Sequence, residues 1–439
     1  MKENDLQELS KDIKEKAKEL INFIYDSPSP YHLVSNASTR LEKNGYKYLC
    51  PKTNWKIESG QKYYTTKDEQ TIAAFELGQE PNKFNIIGAH TDSPTFKIKP
   101  KHIIVEQNYI KLNTEVYGGP IFNTWLDRPL SVAGYIVDKN LKRHLLKIEK
   151  PILIIPNLCI HFNRDINKGY EYNAQDDMNP ILAFVNEKLE SENYLLNILA
   201  KELSLGIEDI LDFELFLYEY EKGSLIGVNE EFISSTRLDD AWMAFAGLEA
   251  LLNANNVNGI NVLVLFSHEE IGSQTAGGAN STYFREILER INIGLGHEKE
   301  ELFKKMNNSF AISADLAHAV HPNQEKKHDK ENRPILTGGP VIKYSAAQKY
   351  TTTAYSAAVF KKVCELAGVP VQKFVNKSDV IGGSTIAAFI SRELGIQVVD
   401  MGSAILAMHS IRELGATIDN EYTIKAFTEF YQAVNLTSY

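Results

Sequence analysis

Residues Asn261 to Ala279 read NVLVLFSHEEIGSQTAGGA. Val262 through Phe266 is an unbroken run of β-branched and large apolar residues, the composition of a strand buried on both faces, as in parallel sheets. Directly after it come Ser267-His268-Glu269-Glu270, then Gly272 and the small-residue run from Thr275 to Ala279. Two adjacent carboxylates at the carboxyl end of a buried strand are costly to hold unless a cation neutralises them. Ligands of open α/β sheets bind at that edge, so a metal ion is the natural neutraliser. Adjacent side chains diverge, which lets one carboxylate bind an ion while the other faces water as a general base. A bare Glu-Glu pair is more often a solvated acidic turn, so the decision falls to what the remaining chain brings to it.

Upstream, Asn85 to Ala89 reads as a second short buried strand ending in His90-Thr91-Asp92. Near a metal a His-X-Asp pattern has a mechanical meaning: imidazole binds through one nitrogen while a nearby carboxylate supports the site's orientation. Standing alone, such a histidine is more often structural. Before this strand, Leu6, Leu9, Ile13, Ala17, Leu20 and Ile24 recur at helical spacing, and Ser27-Pro28-Ser29-Pro30 ends that helix.

From about Thr95 to Asn229 the texture turns β-rich. Asn113 to Ile136 holds a Gly-Gly-Pro turn followed by strand-like alternation. Strands are expected at Leu145–Ile148, Ile152–Ile155 and Phe213–Tyr220, a loop over Asn163–Asn179, and a helix over Pro180–Leu203. This stretch reads as an insertion between two pieces of an α/β domain, with divisions at 1–94, 95–229 and 230–439. His161 is the one residue in it with chemical potential, although a histidine of the surface or core is the commoner case.

The α/β pattern resumes at Arg237-Leu238-Asp239-Asp240. Leu238, Ala241, Phe245, Leu248 and Leu252 predict an amphipathic helix with both aspartates in its first turn. They suit helix capping and equally a bridge between two ions. Beyond a charged helical stretch from Thr282 to Met306, a strand at Phe310–Ala314 leads into Asp315. Asp315, His318 and His321 could form a local site, but that would leave Glu269 and Glu270 without a partner. Ile396–Met401 reads as a strand, and Ala407-Met408-His409-Ser410-Ile411-Arg412-Glu413 as the opening of a helix.

Composition narrows the functional classes. The 439 residues, 43% hydrophobic and 24% charged, are those of a soluble globular protein with a large core and room for two domains. A net charge of −10 argues against nucleic acid or an anionic membrane as partner. No apolar run reaches the ~20 residues of a membrane span, and no secretory signal pattern opens the chain. Three scattered cysteines give neither a disulfide framework nor a cysteine zinc site. A cytoplasmic setting is expected.

His90, Asp239, Glu270, Asp315 and His409 thus each fall at the end of a strand-like run or the start of a helix. Two histidines and three carboxylates suit two divalent ions, zinc first, with Co2+ or Mn2+ as alternatives. The chain resembles the aspartyl aminopeptidase and vacuolar aminopeptidase I family of di-zinc metallopeptidases. The resemblance is carried in order by SPSPYH at Ser27, GAHTDSPTFKIKP at Gly88, YGGPIFNTWLDRPL at Tyr117, RLDD at Arg237 and SHEEIGSQTAGGA at Ser267. It continues through SADLAHAVHPN at Ser313, GPVIK at Gly339 and AMHSIRE at Ala407.

That resemblance implies a mixed-sheet α/β metallopeptidase domain with an inserted β-rich dimerisation domain. It implies that His90 and Asp315 bind one zinc, Glu270 and His409 the other, and that Asp239 bridges them. Glu269 would be the general base, and Asp92 would support the His90 region. His161 would reach a neighbouring subunit's site, and Lys343 and Tyr350 would line a pocket for an acidic substrate side chain. The resemblance also implies peptide substrates with a free N-terminus and a homo-oligomer of dimers building a dodecamer. Two stretches depart from the family's usual wording, Arg333–Gly338 and Asn376–Ile386, and both bear on substrate preference. The favoured expectation is an aminopeptidase preferring acidic N-terminal residues. A neutral preference, an amidase or deacylase of small acylated amino acids, and a non-catalytic assembly protein are the alternatives.

Overall fold

The computed structural model describes residues 9–185, 193–255, 258–380 and 382–433. Its centre is a nine-stranded mixed sheet in which strand Asn258–Phe266 lies between Thr71–Leu77, antiparallel to it, and Glu80–His90, parallel to it. Strand Phe310–Ala314 continues the parallel set beside Glu80–His90, and Gln397–Gly402 follows it. The unbroken apolar run now has a physical reason. Side chains alternate between faces, so Val262, Val264 and Phe266 enter one core, with Phe284, Ile287 and Ile390, while Leu263 and Leu265 enter another, with Trp242, Phe245 and Phe427. Each such side chain contributes about 1.5–3 kcal/mol over leaving it exposed.

Helix Leu238–Asn253 packs on the second face and is buried from Leu238 through Leu251. The expected amphipathic helix is corrected on this point: sandwiched between the sheet and helix Thr417–Gln432, it has no wet face. Gly247 permits the close approach, since a Cβ there would meet Leu263 at 2.7 Å. The N-terminal helix spans Lys11–Asp26 and ends at the Ser-Pro-Ser-Pro stretch as expected, while a second helix, Pro30–Lys43, starts from the last proline of that stretch; Leu6 lies outside the described residues.

A six-stranded antiparallel sheet is built from strands between Thr95 and Glu219, with its own core around Phe96, Trp125, Leu130 and Leu215. Ile210–Glu219 and Arg143–Lys147 fall where strands were expected. Ile152–Ile155 does not form one: between Pro151 and Pro156 it keeps only isolated bridges, at Leu153 and Ile154. Pro180–Leu203 is not one helix either. Ile181–Phe184 is an edge strand paired with Tyr109–Lys111, residues 186–192 lie outside the described residues, and the helix is confined to Tyr194–Leu203.

A third sheet of five short strands includes Ser224–Ile226, Ala404–Leu406 and Glu413–Ala416. Residues 407–412 turn between the last two, so the helix expected at Ala407–Glu413 is replaced by a β-hairpin loop. The cause is local and tertiary: Ala407 and His409 adopt left-handed φ of 59° and 67°, and Leu406 pairs with Leu414.

Candidate metal centre

Because Glu80–His90, Asn258–Phe266 and Phe310–Ala314 run parallel, their carboxyl ends bring His90, Glu269-Glu270 and Asp315 to one sheet edge. Asp239 arrives from the start of helix Leu238–Asn253 and His409 from the hairpin loop. Asp239 is central to the arrangement. Its Oδ1 lies 3.4 Å from His90 Nε2 and its Oδ2 3.5 Å from His409 Nε2. His409 Nε2 is also 3.6 Å from Glu270 Oε2. Three donor sets lie with their atoms within 4.8 Å of one another: His90, Asp239, Asp240 and Asp315; His90, Glu269 and Glu270; and Asp239, Glu270 and His409.

Both imidazoles are oriented through their far nitrogen. His90 Nδ1 lies 3.0 Å from the Asp92 carbonyl and His409 Nδ1 3.0 Å from the Gly119 carbonyl. In the neutral tautomer that donates there, each Nε2 turns its lone pair toward the site, the arrangement metal-binding histidines use. Asp92 does more than support His90: its two carboxylate oxygens accept the main-chain N–H groups of Glu269 and Glu270, each at 3.1 Å.

The charge balance fits a cation. Among the described residues, Asp239 Oδ1, Asp240 Oδ1 and Glu270 Oε1 are buried oxygens without a hydrogen-bond partner. Burial, then the nearby charges of Asp315, Asp92 and Asp239, push the Glu269 carboxyl up to about 8, against the pull of His90. Burial and the Asp239 charge likewise push Glu270 well above its usual range. Carboxylates so crowded hold protons unless a positive ion releases them. The donors, imidazole nitrogen with carboxylate oxygen, are those of zinc sites.

Of the remaining predicted residues, Lys343 and Tyr350 adjoin the centre through Asp315, and His161 does not. Lys343 is buried, its ammonium 3.5 Å from Asp315 Oδ2, 3.4 Å from Asp400 Oδ1 and 3.2 Å from the Leu316 carbonyl, and 5.3 Å from the centre of the Tyr350 ring. Tyr350 packs with Phe374. His161 is exposed on the loop of the six-stranded sheet's unit and, among the described residues, makes no hydrogen bond or ion pair. Two further groups, Glu413 and Tyr117, escaped the sequence, and Asp240 is readable only together with Asp239. Asp240 Oδ2 accepts the His90 N–H at 3.0 Å, and Glu413 accepts the N–H of both Asp239 and His409, at 2.9 and 2.8 Å. Tyr117 donates its hydroxyl to Asp92 Oδ2 at 2.8 Å. Only Asp240, beside Asp239 in an Asp-Asp pair, left a readable signal.

An α/β sheet edge that gathers two histidines and several carboxylates around Asp239 is the kind of site metallohydrolases use. Residues 23–431 match the family described as aminopeptidase I zinc metalloprotease (M18). The chain is 52% identical over 424 residues to a probable M18 family aminopeptidase 2 of Clostridium acetobutylicum, covering 94% of this chain and 98% of that one. The counterpart from Pseudomonas aeruginosa is 38% identical, covering 95% and 98%. Among solved structures, the Ape4 and Nbr1 complex matches with a TM-score of 0.92 at 37% identity, over 97% of this chain and 88% of that one. The S. cerevisiae mApe1 dodecamer matches with a TM-score of 0.84 at 27% identity, over 96% and 97%. The chain belongs to the aminopeptidase I zinc metalloprotease (M18) family and is a zinc-dependent aminopeptidase.

Proposed function

We propose that the enzyme is a two-metal aminopeptidase that removes residues one at a time from the free N-terminus of peptides, with preference for acidic N-terminal residues. The carrying observation is the sharing of Asp239, whose two oxygens face different histidines. In this reading His90 and Asp315 would hold one divalent ion and Glu270 and His409 the second, with Asp239 offering an oxygen to each. Two ions rather than one are supported by the number of donors, two imidazoles and five carboxylates in three overlapping sets, and by Asp239 belonging both to the set with His90 and Asp315 and to the set with Glu270 and His409. When bound, such a pair polarises a scissile carbonyl and makes water nucleophilic near neutral pH. Glu269 takes the proton of the attacking water on its carboxylate and passes it to the departing amine nitrogen. Asp92, by accepting the N–H groups of Glu269 and Glu270, fixes where both carboxylates stand.

The acidic preference rests on Lys343 and Tyr350, a buried ammonium over a tyrosine ring beside Asp315. A second reading, neutral Leu-type preference, is favoured by the two carboxylates already flanking that ammonium. Turnover of Asp-, Glu- and Leu-amides and of their N-acetylated forms tests both. Acidic amides cleaved fastest and acetylated ones untouched is the expected result. Faster Leu-amide cleavage removes the acidic preference, and cleavage of acetylated substrates removes the aminopeptidase reading in favour of a deacylase.

We further propose a cytoplasmic homo-oligomer in which the inserted unit, residues 95–229, builds dimers that assemble into a dodecamer. Supporting it are Leu158, Ile160, Phe162 and Phe184, apolar and exposed on that unit, and the dodecameric title of the yeast relative. His161, beside Ile160 and Phe162, would then complete a neighbour's site. Among the described residues no helix is long and apolar enough to cross a membrane.

A further inference from the structure

The segment Tyr117-Gly118-Gly119 leaves the six-stranded sheet and reaches the metal centre at three points. The Tyr117 hydroxyl donates to Asp92 Oδ2 at 2.8 Å, the same oxygen that accepts the Glu270 N–H at 3.1 Å. Gly118 has φ of 70°, and a Cβ there would stand 3.1 Å from Glu270 Cβ and 3.3 Å from its Oε2. The Gly119 carbonyl lies 3.0 Å from His409 Nδ1. Two residues on, the Ile121 N–H donates to the His409 carbonyl at 3.0 Å, so the loop is gripped on main chain and side chain alike.

We infer that Tyr117-Gly118-Gly119 is a positioning clamp through which the inserted sheet sets the geometry of Glu269, Glu270 and His409. The inference rests on the proposed roles of those residues. Tyr117 touches no reacting atom in this account; it acts through Asp92. Its hydroxyl holds one carboxylate oxygen of Asp92 in place, and both oxygens in turn hold the turn that aims the base and its neighbouring ligand. The ring is anchored in the sheet, edge-on to Phe216 at 5.6 Å, so a shift of the sheet moves the hydroxyl. Gly118 has a steric reason. A side chain there would press on Glu270 and adopt a backbone conformation L-residues avoid. An oligomer-building unit wired in this way makes activity depend on how that unit is seated.

The test uses the full-length enzyme. Tyr117→Phe keeps the ring and removes one hydrogen bond to a carboxylate; kcat is expected to fall about 10-fold with KM and bound metal unchanged and a melting temperature lower by no more than about 3 °C. In an Asp92→Ala background, which has no side-chain acceptor, the same change should cost less than about 2-fold, because its route to the base is already cut. Equal cost in both backgrounds, or wild-type kcat for Tyr117→Phe, overturns the clamp. Gly118→Ala in the cobalt-loaded protein should change the Co2+ absorption spectrum and weaken Co2+ binding about 10-fold or more; a spectrum and affinity equal to wild type overturn the Gly118 contact. Glu269→Gln run in parallel separates the two failures. A full rate for Glu269→Gln sinks the proposed mechanism. A lost rate there with wild-type behaviour in Tyr117→Phe sinks only the clamp.

Discussion

Replacing Lys343 by Met removes the cation that stands between Asp315 and Asp400 and leaves two buried carboxylates facing each other. The Lys343 side chain is 3% exposed and that of Asp400 fully buried, so water does not take over. Removing one partner of a buried ion pair costs about 3–5 kcal/mol. With 439 residues at about 2.1 cal/mol/K each, the unfolding entropy is about 0.9 kcal/mol/K. The melting temperature of the metal-free protein should therefore fall by about 3–6 °C. On the proposed ligand assignment a divalent ion at Asp315 would restore part of the missing charge, so the metal-loaded form should lose less. Adding Asp400→Asn should recover roughly half the loss, since the amide needs no counter-charge. The assay is calorimetry of the four proteins (wild type, each single and the double variant) with and without metal, alongside turnover of Asp- and Leu-amides. A metal-free Lys343→Met melting within about 1 °C of wild type, or no recovery from Asp400→Asn, would refute the ion-pair reasoning.

The remaining expectations are shorter. His32 sits buried with its Nδ1 2.7 Å from Ser29 Oγ, and burial, aided by Lys147 and Arg237, pushes its imidazole down to about 3. A folded value below the unfolded one of about 6.5 means its share of stability is intact above about pH 6.5 and is lost as pH falls toward 3. Near pH 5 the loss is ~2 kcal/mol; a His32→Gln protein should show a shallower decline in melting temperature with acid, and parallel curves would count against this. Glu413→Gln exchanges a carboxylate accepting two N–H groups for a single carbonyl, so metal affinity by equilibrium dialysis should drop about 10–100-fold; unchanged affinity would free Glu413 of any role in holding Asp239 and His409. His161→Ala should keep its metal yet lose turnover, and subunit exchange with an inactive Glu269→Gln protein should return some activity. A fully active monomer in ultracentrifugation would end the cross-subunit reading.

How much of this was legible in the sequence depended on how local the cause was. Val262–Phe266 announced a doubly buried strand because both its faces are core, and His90, Glu270 and Asp315 could be placed because each directly follows such a run. Asp239 was readable at its helix start, but the all-round burial of that helix was not, since it depends on helix Thr417–Gln432 far along the chain. The His409 segment misled for a related reason. Nothing in Ala407–Glu413 announces two left-handed residues; the reversal is held by Glu413 and by Gly119, 290 residues away. Ile181–Phe184 became a strand because Tyr109–Lys111 offers it an edge, a pairing that periodicity cannot carry. Tyr117 and Glu413 act through bonds to main chain or to a carboxylate distant in sequence, and neither residue type marks such a role by itself.

The central claim is a division of labour between neighbours: Glu270 holds metal and Glu269 moves the proton. The measurement that reaches it most directly is metal content by mass spectrometry together with single-turnover rate, for Glu269→Gln and Glu270→Gln side by side. The account predicts that Glu269→Gln keeps the wild-type metal content and loses about 10²–10⁴-fold in rate, while Glu270→Gln loses bound metal. Wild-type metal content in both variants, or a Glu269→Gln protein turning over at the wild-type rate, would contradict it.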